Sequence, residues 1–141
     1  MRFKGYINEL SMKKNTSIKL IKTTSHDYQV EITLENEEKF LFVAYKEDAI
    51  TWEIAFVDSK GSVKIEPKDK GVSLELFAAL PKVVEMFIKS KNPSTFFFTS
   101  KPEEVSRVKL YTLLAKKIEK SGYIFKKPTL GGEKVFLFDK A

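Results

Sequence analysis

Three consecutive phenylalanines, Phe96 to Phe98, are the feature that most constrains the fold of this 141-residue chain. Successive side chains of a strand point to opposite faces, so three large apolar residues in a row give a strand with two apolar faces. A strand of that kind belongs in the middle of a sheet. We therefore expect Ser94 to Thr99 to form a central strand with helices packed against it.

The region before this strand shows the period of a half-buried sheet. Apolar and polar side chains alternate between Ile18 and Val57, with β-branched and aromatic residues on the apolar side. Polar, turn-forming residues divide the region into four short strands, near residues 18–22, 28–34, 40–45 and 51–57. The pattern predicts an antiparallel meander with one face on the core.

Beyond Gly71 the period changes to that of an amphipathic helix. The apolar stripe consists of Leu76, Phe77, Leu80, Val83, Val84, Phe87 and Ile88. Ser73 is the predicted N-cap, and Asn92-Pro93 is the predicted end. Pro81 lies inside the stripe, so we expect a kink or a restart of the helix there.

A second helix is predicted between a capping box at residues 100–103 and a glycine stop at Gly122. Tyr123 to Phe125 and Val135 to Phe138 then form a hairpin. Because a strand–helix–strand crossover places its two strands side by side in parallel, the meander must continue into a mixed sheet. The expected fold class is α+β, with two main helices packed on the faces of the sheet. We expect one domain over residues 1–141, with a basic segment at 1–25 and the sheet and helices at 26–141.

The amino-acid composition excludes several kinds of functional site. The chain has no cysteine, which excludes disulfides, thiolate nucleophiles and cysteine-ligated metals. His26 is the one histidine, and it follows a polar run typical of a surface turn. We therefore expect no bound metal. No segment has the length of a signal peptide or of a membrane span, which favours a soluble, cytoplasmic protein.

The net charge of +6 is unevenly placed along the chain. Both ends are basic and the middle is acidic, which makes a polyanion such as nucleic acid a possible partner. Arg2 and Arg107 are the only arginines among 25 basic residues, and lysines act as point charges that do not read base edges. Any nucleic-acid binding is therefore predicted to be sequence-nonspecific.

Three places hold candidate site residues. Lys70, Gly71, Val72 and Ser73 lead into the first helix, whose N-terminal amides can bind phosphate. Arg107 and Ser100 meet near the end of the central strand, where open sheets bind ligands, and form a candidate anion or partner contact. Glu53 alternates away from Trp52, on the outer face of the fourth strand, and is a candidate base.

The order of elements, together with Lys70-Gly71-Val72-Ser73 and Leu110-Tyr111 followed by Gly122-Tyr123, resembles the GNAT acyltransferases. The resemblance implies acetyl-coenzyme A as cofactor, with its pyrophosphate on residues 70–73. It also implies that Tyr111 protonates the leaving thiolate. One loop glycine is present where the family has two, which makes the arrangement degenerate.

The chain also resembles a group of small proteins of tailed bacteriophages that have no established activity. The shared features are the Trp52 to Phe56 strand, the Leu76 to Ile88 helix and the Ser106 to Leu114 helix. This resemblance implies a non-catalytic accessory protein with a protein partner, in the host cytoplasm if phage-encoded. The non-catalytic accessory protein is our main hypothesis for the function. The two alternatives are a GNAT-like acyltransferase and a lysine-rich nucleic-acid binder.

Overall fold

The computed structural model describes residues 16–58, 70–100, 105–126, 129–130 and 133–141. Within them the strands are β1 Ser17–Thr23, β2 Asp27–Thr33, β3 Lys39–Lys46, β4 Thr51–Asp58, β5 Thr95–Ser100, β6 Tyr123–Lys126, β7 Thr129–Leu130 and β8 Glu133–Lys140. The helices are α1 Lys70–Lys91 and α2 Val105–Glu119. The predicted strand–helix order is confirmed, while the short strand considered at residues 63–65 lies outside the described residues.

The strands form one mixed sheet in the order β1-β2-β3-β4-β5-β8-β6, with β7 paired to β8. The first four strands make the predicted antiparallel meander. β4 and β5 are parallel, as the crossover through α1 requires. β8 is antiparallel to both β5 and β6 and lies between them. The α+β fold class with a mixed sheet and two main helices is therefore confirmed. β1 falls within the segment 1–25, so the sheet begins before residue 26.

The core lies on one face of the sheet. Phe96 and Phe98 point to that face and are fully buried. Phe87 of α1 packs edge-on against Phe96, with 5.8 Å between ring centroids, and Tyr111 of α2 stacks on Phe98 at 4.9 Å. Both described helices therefore contact the same face.

The other face of β5 carries Phe97, which is only half-buried. The expectation that helices cover the phenylalanine run on both faces was therefore wrong for the described helices. β5 is central because β4 and β8 flank it in the plane of the sheet. On this outer face the register partners of Phe97 are Glu53 of β4 and Leu137 of β8.

The ends of the helices contradict the predicted N-cap and confirm the two predicted helix stops. Helix α1 begins by Lys70, so Ser73 lies inside its first turns and is not the N-cap. The helix runs through Pro81 and ends at Lys91, before the predicted stop, where the Asn92 amide donates to the Ile88 carbonyl at 2.8 Å. After α2, Gly122 has the positive φ of 94° that a helix-ending glycine adopts.

Candidate functional site

An opening between β4 and β5 is the main irregularity of the sheet. Their parallel register comprises Thr51↔Thr95, Trp52↔Phe96 and Glu53↔Phe97, and it ends there. Both strands continue past the last pair, β4 to Asp58 and β5 to Ser100. No described backbone pair joins the two strands beyond Glu53 and Phe97, and Glu53 lies at the apex of this unpaired stretch, which is the opening.

Aromatic rings line the helix side of this opening. Phe56 of β4 and Phe98 of β5 stack almost in parallel, with 5.7 Å between centroids and 11° between planes. Tyr111 of α2 lies against both, at 6.0 Å from Phe56 and 4.9 Å from Phe98. All three side chains are buried. The predicted acid Tyr111 therefore lies at the opening, on the side from which water is excluded.

Glu53 lies on the opposite, outer side, as the alternation predicts. Tyr45 is its direct cross-strand partner on β3, and the Tyr45 hydroxyl donates to Glu53 Oε1 at 2.7 Å. Burial and the nearby Glu53 and Glu47 carboxylates raise the pKa of Tyr45 to about 12. The Tyr45 hydroxyl thus stays protonated at physiological pH and remains a donor.

Glu47, in the turn between β3 and β4, adds a second carboxyl to this group. Its hydrogen bond to Glu53, followed by desolvation and the charges of Glu53 and Asp48, raises the pKa of Glu47. Asp48 acts differently, because its carboxylate accepts from the Ile50 and Thr51 amides at 3.0 and 2.9 Å. Those hydrogen bonds lower the pKa of Asp48 and fix the turn.

Sequence reasoning did not identify Tyr45 and Glu47 as site residues. The signal that could have found Tyr45 is the hairpin register, because a turn at residues 47–50 places Tyr45 opposite Glu53. Glu47 lies on that turn, where no alternation indicates which way a side chain points.

The start of α1 lies at the C-terminal edge of the sheet, to which β4 also leads. Lys70, Gly71, Val72 and Ser73 form the beginning of the helix itself and not a loop before it, and their side chains lie outside the described residues. Of the two residues predicted to form an anion or partner contact, the structure describes only the backbone: Ser100 ends β5, and Arg107 is the third residue of α2.

Glu75 is a buried carboxylate near this end of α1, with 6% of its surface exposed. It accepts from the Glu35 amide at 2.8 Å and from the Thr16 hydroxyl. These contacts join α1 to the β2–β3 turn and to the residue before β1. The carboxylate therefore has a structural function at the edge where a ligand phosphate would approach.

Metal-ligand clusters and membrane-spanning helices can be assessed for the part of the chain that the structure describes. No group of three or more histidine and acidic side chains there could hold a metal ion. No described helix is long and apolar enough to cross a membrane. His26 is exposed in the turn between β1 and β2, where its Nδ1 lies 2.8 Å from the Ser25 hydroxyl.

Solved structures align with most of the chain at low sequence identity. A mutant of the spermidine N-acetyltransferase SpeG from Vibrio cholerae aligns with a TM-score of 0.55 and 7% identity, over 89% of this chain and 94% of that one. A GNAT family acetyltransferase from Elizabethkingia anophelis, with acetyl-CoA bound, aligns with a TM-score of 0.52 and 14% identity, over 90% and 99%. The chain has a GNAT-like fold.

The N-acetyltransferase PseH from Campylobacter jejuni supports the GNAT-like fold, with a TM-score of 0.50 and 10% identity over 84% of this chain and 71% of that one. No family model matches the chain, and no curated protein matches it in sequence. At these identities the likeness concerns the fold alone. The fold that the GNAT resemblance implied is thereby confirmed, whereas the functions assigned to Tyr111, Glu53 and residues 70–73 stay predictions.

Proposed function

We propose that this chain binds an acyl-coenzyme A in the opening between β4 and β5 and transfers its acyl group to an amine. The observation that supports this most directly is the end of the β4–β5 register at Glu53 and Phe97. The GNAT-like fold supports it further, because one of the similar structures contains acetyl-CoA. The enzyme alternative is thus better supported than the non-catalytic accessory function.

The residues at the opening fit the chemistry of coenzyme A. The unpaired stretches of the two strands present backbone amides and carbonyls to an extended molecule with amides of its own, such as the pantetheine arm. The start of α1 would hold the pyrophosphate, since the first amides of a helix have no carbonyl partner within it. Lys70 adds a positive charge to this end by its sequence position. When bound, the coenzyme supplies an activated thioester.

The protein's own residues would then move two protons. As the acceptor nitrogen bonds to the acyl carbon, Glu53 takes a proton from that nitrogen on the outer side. As the carbon–sulfur bond breaks, the Tyr111 hydroxyl gives a proton to the departing sulfur on the helix side. The rings of Phe56 and Phe98 exclude water from that side, which protects the thioester from hydrolysis.

Calorimetry with acetyl-CoA tests the binding step. We expect a Kd of about 1–100 μM, equivalent to roughly 5–8 kcal/mol. Gly71→Glu should abolish binding, because it places a negative charge at the predicted pyrophosphate site. Ser90→Glu is the matched control: it adds the same charge at the other end of α1 and should leave the Kd within about twofold. No heat at millimolar ligand would overturn the proposal.

Release of free thiol in the presence of a panel of primary amines tests the transfer step. Glu53→Gln and Tyr111→Phe should each lower kcat by about 100-fold while acetyl-CoA still binds. Binding without transfer to any amine would favour a coenzyme A-binding protein without catalysis. The likeness to small phage proteins, the protein partner and the cytoplasmic location stay predictions, which these measurements do not address.

A further inference from the structure

The hydrogen bond between Tyr45 and Glu53 has no function in the fold that other contacts do not already serve. Tyr45 is 39% exposed, and the β3–β4 hairpin is also held by the six other register pairs and by the Asp48 turn. An exposed tyrosine held at 2.7 Å from the carboxylate at the apex therefore calls for a different explanation.

We propose that Tyr45 is a positioning residue for proton transfer at Glu53, a hypothesis that rests on the proposed acyl transfer. The Tyr45 hydroxyl binds Glu53 Oε1 and so fixes the plane of the carboxylate. Since Tyr45 and Glu53 are paired residues on neighbouring strands, the backbone register sets this geometry before any ligand binds. Such preorganisation keeps a catalytic base from losing orientation to solvent.

The groups that face Glu53 make this donor important. Glu47 approaches from the turn with a second carboxyl, and Asp48 lies beside it. Phe97, the partner on β5, contributes no charge. The cation nearest in sequence, Lys46, extends to the other face, where its Nζ lies 5.9 Å from the centre of the Trp52 ring.

The electrostatics agree with the geometry. Glu53 thus has the Glu47 carboxyl beside it and accepts a hydrogen bond from the Tyr45 hydroxyl. The hydrogen bond fixes the direction of one Glu53 carboxylate oxygen beside this second carboxyl. Without the Tyr45 hydroxyl, the Glu53 carboxylate should lose its fixed orientation.

Tyr45→Phe in the full chain tests this inference. We expect kcat for acetyl transfer to fall about tenfold, with the KM for the amine and the Kd for acetyl-CoA within about twofold. A fall in kcat with an unchanged KM and Kd indicates a positioning residue, because a general loss of structure would weaken binding as well.

Tyr123→Phe is the matched control, because it removes the same hydroxyl from a tyrosine that donates to the Pro93 carbonyl, away from the opening. It should lower stability and leave the kcat, the KM for the amine and the Kd for acetyl-CoA unchanged. A wild-type protein that binds no acetyl-CoA and transfers nothing overturns the proposed function and this inference with it. An active wild type whose kcat is unchanged by Tyr45→Phe overturns this inference alone.

Discussion

The rings of Phe56 and Phe98 stack 5.7 Å apart, although the last backbone pair of their strands lies three residues earlier on β4 and one residue earlier on β5. Side-chain packing therefore joins β4 and β5 where the backbone ladder does not. The opening in the sheet is thus a gap in backbone hydrogen bonding above a continuous aromatic core. This arrangement can expose strand edges to a ligand without exposing apolar surface.

Phe98→Ala should be among the most destabilising substitutions in the chain. Phe98 is fully buried and contacts the rings of Phe56, Phe96, Tyr111 and Phe138. Loss of a buried phenylalanine leaves a cavity and costs about 3–5 kcal/mol of the free energy of unfolding. Urea denaturation measures this cost. Phe97→Ala, on the half-buried face of the same strand, should cost about half as much or less, and equal losses would contradict the one-sided core.

Glu75→Leu should lower the free energy of unfolding by about 1–3 kcal/mol. The change leaves the Glu35 amide and the Thr16 hydroxyl without their acceptor in a part-buried place. Glu85→Leu is the control on the same helix, because Glu85 forms an exposed ion pair with Lys89 at 3.0 Å. It should change stability by less than about 0.5 kcal/mol. If thermal or urea denaturation shows the same loss of unfolding free energy for both variants, the hydrogen bonds of Glu75 do not stabilise the fold.

Tyr123→Phe should cost about 1–2 kcal/mol without changing the fold. The Tyr123 hydroxyl donates at 2.6 Å to the Pro93 carbonyl in a buried setting and links β6 to the segment between α1 and β5. Removing the hydroxyl leaves that carbonyl without this donor. Guanidinium denaturation with an unchanged m-value would measure the loss, whereas a change below 0.3 kcal/mol would indicate that water replaces the hydroxyl.

Asp139 should contribute to acid sensitivity. Its hydrogen bonds from Lys126 and Thr95 lower the pKa of its carboxyl in the folded state. A lowered folded pKa gives stability that is present above the ordinary value of 3.8 and is lost as pH falls through the folded value. Asp139→Asn should therefore reduce stability at pH 7 and flatten its decline below about pH 4. Melting temperatures across pH 2–7 test this, and parallel curves for the two proteins would contradict it.

The strands and the mixed sheet were predictable because each depends on local periodicity. Tyr28, Val30 and Ile32 alternate with polar residues, and the structure buries all three on one face. The parallel pairing of Thr51 with Thr95 follows from the handedness of crossovers. Periodicity could not show that both helices lie on one face, since Phe97 has the same apolar side chain as Phe96 and Phe98 while its exposure depends on what covers the sheet.

The candidate site was less predictable. Glu53 and Tyr111 could be chosen from alternation and from family resemblance, and the structure brings both to the opening, on opposite sides of the sheet. Where β4 and β5 stop pairing is a tertiary property with no sequence signal that was recognised. Tyr45 escaped notice because its importance comes from the strand register, in which a shift of one residue would turn its side chain to the other face.

The position of β8 has a consequence for how the polypeptide is made. Residues 133–140 insert between β5 and β6, both of which leave the ribosome earlier. Until β8 emerges from the exit tunnel, the Phe96 and Phe98 rings lack the Phe136 and Phe138 rings that pair with them on the neighbouring strand. A nascent chain stalled before residue 133 would therefore expose an unpaired strand edge with apolar side chains. It should recruit chaperones that a chain stalled well beyond residue 141 does not.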